Sequence, residues 1–421
     1  MSAEIEEGYK QTEVGVIPVS WEVMRLGELA DIQRGASPRP IDSPQWFDTQ
    51  SQVGWVRITD VTQSKTSTLT ATTEYLSAAG IANSRFLPSG SLIMSICATV
   101  GVPVITAIDT CIHDGFVGFS NLKSATKEYI YIVLKSLTKE FQSMGQTGSQ
   151  ANLNSDLVRN HKVFVPPISE QRAIASALAD VDALLEYLGN LVNKKLQIRQ
   201  AVMQELLTGK TNLEGFENKR REVKLSEVVE IIPSGIYGND HQESGMMGFP
   251  VATTAHISSD DKWNAKEMSI RYFYMDKYEK YSPIEGDLIV VKSSGSAASI
   301  QSGKVGFVDH RIARSFIFSN FLMLLRPKNI APKYLYYLLT SPKVKRLLPS
   351  LVEASTYPNI RIPEYLGLEF TLPPLPEQEA ITSILSEMDA ELEALEERVA
   401  KTHNLKQGMM QELLTGRTRL I

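Results

Sequence analysis

Arginine, lysine, amide and hydroxyl side chains gather in loop-like stretches of this 421-residue chain. In the first half they are Arg34, Arg39, Arg57, Thr59 and Asp60, followed by Thr147, Ser149, Gln150 and Asn152. In the second half they are Tyr237, His256, Lys292, Ser293, Ser294 and Arg314, followed by Thr356, Tyr357, Asn359 and Arg361. These are the groups that read a nucleic acid: Arg and Lys match guanine edges, Asn and Gln match adenine, and hydroxyls and cations hold phosphate oxygens. Polar loops are more often merely solvated, so a single residue of this kind is a weak signal. Arg57, Gln150, Lys292 and Asn359 are the foremost candidates.

Other chemistry is missing from the sequence. Gly303–Lys304 follows a glycine-rich stretch, but Gly295 lies too far upstream for a phosphate loop and Val305 stands where Ser or Thr is needed. Neither Pro-Pro pair follows the acidic or amide residue of an amino-methyltransferase site, and no glycine-rich cofactor fingerprint is present. The six histidines show no metal-ligand spacing. His113–Asp114 and Asp309–His310 are isolated pairs and read as structural. No acidic cluster suits a nuclease.

The elements that must position these loops are set by an internal repeat. Residues 163–213 and 370–420 align without a gap and agree at about half their positions, with QELLTG verbatim at Gln204–Gly209 and Gln411–Gly416. Each copy opens on a proline pair, Pro166–Pro167 or Pro373–Pro374, which neither a strand ladder nor a helix interior accepts. Helix is expected to begin near Ser169, with Pro376 at the matching place in the second copy, and to stop at Gly209 and Gly416. About 38 residues of helix span roughly 57 Å at about 1.5 Å per residue.

The apolar seam is heptad-like, running through Leu178, Val181, Leu185, Leu188 and Val192 in one copy and Leu385, Met388, Leu392, Leu395 and Val399 in the other. It falters at Lys195 and Arg199, and at Thr402 and Lys406. It is expected to resume through Ile198, Val202 and Leu206, and through Leu405, Met409 and Leu413. Two matched seams in one chain most simply pack on each other. The alternatives are that each helix packs on its own globular segment, or that the helices dimerise with another chain.

The segments before the helices mix strand and helix. Val56–Ile58, Ser91–Ile96, Gly286–Val291 and Phe316–Leu325 read as strands, and Glu128–Leu137 and Pro332–Thr340 as helices. Met24–Ala30 echoes Val223–Val229, Leu87–Met94 matches Pro283–Val290, and Gly54–Asp60 falls where Gly248–Thr254 falls. The expected fold is therefore mixed α/β (α+β). It divides into a globular domain over residues 1–162, a helix in 163–213, a second domain over 214–369 and a helix in 370–421.

A net charge of −5 argues against nucleic acid at first. The excess acid is concentrated in residues 370–421, with 9 acidic against 5 basic side chains, and near the N-terminus, whereas residues 214–369 carry 20 basic against 18 acidic. What binds DNA is a local basic face, which total charge does not exclude. No run of about 18 apolar residues offers a membrane span. The first residues lack signal-peptide order, and two cysteines suit a reducing cytoplasm, the expected location.

The paired Pro-Pro-x-x-Glu-Gln starts, Pro166–Gln171 and Pro373–Gln378, followed by duplicated helices, resemble the specificity (S) subunit of type I restriction-modification systems. Gly90–Ile93 and Gly286–Ile289 fit the resemblance, as do Gln150–Leu153 and Thr356–Ile360. The second half departs at Gly248–Thr254, where the counterpart of Arg57 is missing.

The resemblance implies two target recognition domains reading a bipartite double-stranded DNA site. It also implies two helices packed as an antiparallel coiled coil, with pseudo-twofold internal duplication. Two methylation (M) subunits would dock on these helices, with Gln204, Glu205, Leu206 and Leu207 and Gln411, Glu412, Leu413 and Leu414 as candidate contacts, and restriction (R) subunits would join them. S-adenosylmethionine, ATP and Mg would belong to those partners, leaving this chain without catalysis, cofactor or metal. Helices of this length would separate the half-sites by on the order of 15 base pairs. Unlike surfaces on matching frames suit an asymmetric site. Two other readings remain: an interaction scaffold that does not bind DNA, and an enzyme that acts alone.

Overall fold

The structure is a computed structural model and describes residues 6–64, 66–145, 152–211, 213–216, 219–264, 266–296, 299–353 and 358–420. The chain forms two compact units, Met1–Leu188 with Arg398–Ile421, and Gly189–Glu397. The two long helices, Ile168–Thr208 and Leu375–Leu413, therefore each contribute one part to each unit.

The central sheet of the first unit has the order Asp31–Arg34, Phe116–Ser120, Leu92–Ser95, Pro103–Thr106, Thr68–Leu69. The second unit repeats the first four places with Val229–Ile232, Leu322–Pro327, Leu288–Val291 and Val305–Phe307. A smaller sheet in each unit places Gly54–Val56 beside Thr110–Ile112, and Met247–Ala252 beside Ile317–Phe318, both parallel. Leu92–Ser95 and Leu288–Val291, the inner strands of the two sheets, are buried along their whole length.

Two expectations need correction. Phe316–Leu325 is not one strand: it breaks at Ser319–Phe321 into strands of two different sheets. Register also aligns Gly54 with Pro250 rather than Gly248, because Val56 pairs with Ile112 where Ala252 pairs with Phe318.

Each helix start is held by its Glu-Gln pair. Gln171 accepts a hydrogen bond from the Thr126 N–H at 2.8 Å and donates to the carbonyls of Ser124 (2.9 Å) and Pro166 (2.8 Å). Gln378 repeats this, accepting from the Ala331 N–H at 2.9 Å and donating to Pro373 O at 2.8 Å. Thr126 and Ala331 are the N-cap residues of helices Lys127–Ser136 and Pro332–Thr340, so each glutamine ties a domain helix to a long helix. The preceding glutamates are buried. Glu170 accepts from Arg419 Nη2 at 2.8 Å and from Trp21 Nε1 at 2.9 Å, and Glu377 accepts from Arg220 Nη2 at 2.8 Å.

These arginines come just after a long helix has ended. Gly209 and Gly416 stop the helices with φ of +74° and +71°, a conformation open to glycine at little cost. In the first unit the start of one helix thus meets the end of the other, and the two segments run antiparallel. Ile174 and Leu178 share a core with Leu413, Leu414 and Met409. In the second unit Ile381 and Leu385 share a core with Met203, Leu206 and Leu207.

The heptad phase does not skip at the polar positions. Lys195, Arg199, Thr402 and Lys406 occupy seam places. Arg199 pairs with Asp389 inside the second unit, Lys406 with Asp182 inside the first, and the two pairs are related by the repeat. Ile198 and Leu405, expected to carry the seam onward, lie one residue out of phase and are 41% and 57% exposed. Among the seam residues Leu178, Leu188, Leu385 and Leu392 are buried, while Val181, Leu185, Val192, Met388, Leu395 and Val399 are half-buried.

Removing one member of a buried pair leaves the other charge unpaired and costs about 3–5 kcal/mol. Glu377→Ala, beside an Arg220 side chain only 7% exposed, is expected to destabilise the second unit on that scale in urea unfolding. A loss below about 1 kcal/mol, the size of a surface pair, would show that the site is hydrated.

Candidate nucleic-acid interface

The tight turn His113–Gly115 joins the two sheets of the first unit, between strands Thr110–Ile112 and Phe116–Ser120. The extended segment after Arg34 is laid against it, with the Gly35 N–H on Phe116 O (2.9 Å) and the Ala36 N–H on Ile112 O (3.1 Å). Arg34 Nε then donates to Asp114 O at 2.7 Å, Ser37 Oγ to Asp114 Oδ1 at 2.7 Å, and Arg39 Nη2 to Asp114 Oδ2 at 3.4 Å. The Ser37 hydrogen bond leads in holding the Asp114 carboxyl below the usual carboxylate range. His113 turns inward, edge-on to Phe116 with ring centroids 4.9 Å apart and 5.8 Å from Trp55, and its Nδ1 accepts the Gly115 N–H at 2.9 Å. Burial lowers its pKa. Burial likewise raises that of the neighbouring Cys97 thiol, which Asp114 raises further.

Arg57 extends the same patch. Its guanidinium lies 5.6 Å from the Trp55 ring and pairs with Glu74. Asn152 forms a β-bridge with Cys97. The fold thus brings Arg34, Arg39, Arg57 and Asn152 around a pair, His113–Asp114, read from the sequence as merely structural. Thr59 is exposed on helix Ile58–Gln63. Asp60 is a cap: one oxygen takes the Arg57 N–H at 2.8 Å and the other the Thr73 N–H and Oγ1. Its carboxylate is used within the fold. Thr147, Ser149, Gln150, Thr356 and Tyr357 lie outside the described residues.

In the second unit the equivalent turn is Ser319–Phe321. Gly235 N–H meets Leu322 O at 3.2 Å and Ile236 N–H meets Phe318 O at 3.0 Å, while Ser234 Oγ donates to Asn320 O at 3.1 Å. Lys292 and Ser293 lie beside this turn, both with N–H groups on Phe321 O, and Ser293 bridges to Asn359 as Cys97 does to Asn152. Ser294 is held through the Ser302 hydroxyl at 3.1 Å. Partial burial alone lowers the Lys292 pKa. Tyr237 is exposed under the Arg271 guanidinium, 4.4 Å from its ring, and accepts from Arg271 Nη2 at 3.0 Å.

Three candidates fall away from this patch. His256 is 5% exposed and its Nδ1 takes the Thr253 N–H at 2.9 Å, the cap role that Asp60 plays in the first unit. Arg314 is exposed, but its backbone holds Pro283 and Tyr278. Arg361 is engaged with Glu364 and Ser350. Of the candidate docking residues, Leu206, Leu207, Leu413 and Leu414 are buried in the two cores, so these leucines build the units and are not presented to a partner. Gln204 and Gln411 are exposed. Glu205 and Glu412 each hold a threonine of the following turn, Thr211 and Thr418.

Sequence reasoning missed Ser37, Asp114, Ser234 and Asn320. The available signal was turn chemistry: Asp-Gly and Ser-Asn between apolar runs. Among the described residues no group of three or more His, Cys, Asp or Glu could hold a metal ion, and no helix is long and apolar enough to cross a membrane.

Two mixed sheet units with unlike polar corners, each holding the start of one long helix and the end of the other, define a class of two-domain α/β protein built on one repeated frame. The family model for the type I restriction modification DNA specificity domain matches twice, over residues 18–195 and 218–401. The MjaVIII and MjaIX specificity subunits of Methanocaldococcus jannaschii are similar. The first is 26% identical over 313 residues, covering 69% of this chain and 70% of the relative, and the second is 20% identical over 445 residues, covering 99% and 97%. The EcoKI specificity subunit of Escherichia coli is 22% identical over 289 residues, covering 63% and 60%.

A type I S subunit from M. genitalium has the same fold, with a TM-score of 0.55 at 12% identity, covering 94% of this chain and 96% of that one. So does a chain solved in a study of type I complex assembly, with a TM-score of 0.57 at 18% identity, covering 96% and 99%. The chain belongs to the type I restriction-modification DNA specificity family, as a non-catalytic specificity subunit with two recognition domains.

His113 generates a pH prediction. Its folded pKa lies below the free value of 6.5, so the stability it contributes is present above that value and lost as pH falls through it, when the unfolded state takes up the proton. The thermal midpoint should drop below pH 6.5, and His113→Gln should remove part of that drop. An unchanged pH profile in the variant would show that the ring is not buried.

Proposed function

We propose that this chain reads a bipartite, asymmetric site in double-stranded DNA, one half-site per domain, and docks two methylation subunits along its long helices. Restriction subunits join that core, and S-adenosylmethionine, ATP and Mg serve the partners. The observation that carries this reading is a frame built twice with different polar side chains mounted on it. Sheet order, helix start and cap geometry recur in both units, while Arg34 and Asp114 give way to Ser234 and Asn320. A frame kept constant while its exposed corner changes is what two different half-sites require.

The helices act as a ruler in this reading, packed as an antiparallel coiled coil along their length. The symmetric pairs Arg199–Asp389 and Lys406–Asp182 support it, since polar groups in a seam fix register. Much of the phosphate contact falls to the partners, in keeping with the net charge of −5.

Methylation mapping of the host genome, with the gene intact and deleted, tests the function. A split adenine-methylated motif that vanishes on deletion is the expected result, and an unaltered pattern counts against it. Inserting four residues near Lys195 should lengthen the gap of that motif; an unchanged gap sinks the ruler. Lys292→Ala should weaken DNA binding of the assembled complex similarly across sequences and lower the slope of log K against log salt by about 1. A loss confined to one base would instead assign Lys292 to readout.

A further inference from the structure

The turns His113–Gly115 and Ser319–Phe321 are the same place in two copies of one fold. Backbone hydrogen bonds fix the equivalence independently of sequence: Gly35 to Phe116 matches Gly235 to Leu322, and Ala36 to Ile112 matches Ile236 to Phe318. On that backbone the Arg34 side chain meets Asp114 O where the Ser234 hydroxyl meets Asn320 O. The frame is constant and the side chains are not. Where the first unit presents the Asp114 carboxylate between Arg34 and Arg39, the second presents the exposed Asn320 with Ser234 on its carbonyl.

Asp114 is unusual for a surface that meets phosphates, because an anion there repels them. It is also not consumed by the fold. Its side chain is 42% exposed, one oxygen holds Ser37 and lies 3.7 Å from His113 Nδ1, the other meets Arg39 at 3.4 Å, and a carboxylate offers about four acceptor sites. An acceptor-only group aimed outward suits a donor on a base edge, and the major groove supplies it as the exocyclic amino group of cytosine or adenine. Arg34 and Arg39 flank it and offset its charge.

Resting on the reading above, we infer that this corner sets base preference in both half-sites. Asp114 accepts a hydrogen bond from the exocyclic amino group of a base in one half-site. Asn320, which both donates and accepts, reads adenine in the other.

The test is selection from a randomised duplex DNA library by the complex of this chain with its methylation subunits. The wild-type complex first establishes the two half-sites; if it selects no split sequence, the functional reading fails before the corner is probed. Asp114→Asn should then cut preference at one position of one half-site by about tenfold, leaving the other half-site and the gap intact. Asn320→Asp should move one position of the other half-site from adenine toward cytosine. Affinity lost uniformly with the base profile intact, or a profile unchanged in both variants, overturns the inference.

Discussion

The buried contacts of the Glu-Gln pairs at the two helix starts hold the rest of the molecule in place. Glu170 is bound by Arg419 and Trp21, and Glu377 by Arg220, so each long helix begins where the other has just ended. A carboxylate out of water needs such partners, since its desolvation costs several kcal/mol. The adjacent glutamines extend the tie into the domains through the N-caps at Thr126 and Ala331. With both ends fixed, the seam packs in one phase, and Arg199, Lys406 and their aspartates occupy places that an apolar seam would give to leucine. The two ties are not identical. Trp21 precedes strand Glu22–Arg25 as Arg220 precedes strand Arg221–Lys224, so one site recruits its arginine from beyond the helix and adds an indole, while the other takes the arginine from the indole's own place.

The division of labour follows from this frame. Residues that make the fold recur in both halves, down to the cap at Asp60 and His256, where an acid and an imidazole each hold the N–H three residues back. Residues that face outward at the turns do not recur. The polar side chains at these turns are mounted where two sheets meet, on backbone hydrogen bonds that recur in both units and with side-chain hydrogen bonds that differ between them.

Much of this was legible in the sequence, for physical reasons. A repeat with 3–4 spacing reports its own helices, and Pro332–Thr340 lies where its apolar spacing puts it. The tie at Glu170 is invisible because Arg419 is 249 residues away. Arg34 and Asp114 are likewise 80 residues apart in the chain, and only strand pairing unites them. The run Phe316–Leu325 hid its turn because buried strands on both sides of Ser319 are equally apolar. The leucines of QELLTG stood among the docking candidates that the family resemblance implied. They are repeated because each fills a core built by the opposite half, and Leu207 and Leu414 leave almost no surface to a partner.

That exchange of helix ends has a consequence for how the protein comes to be. The second unit is continuous in the chain, Gly189–Glu397, whereas the first needs residues 398–421 to finish its core at Leu413 and Leu414 and to neutralise Glu170. Domains usually close in order of synthesis, from the N-terminus onward. The first unit departs from that order, because part of its core and the arginine that meets Glu170 come from residues 398–421, and the contact closes across 249 residues of chain. A chain cut before Arg398 would hold one unit with its core complete and one with an apolar groove and a buried acid left open.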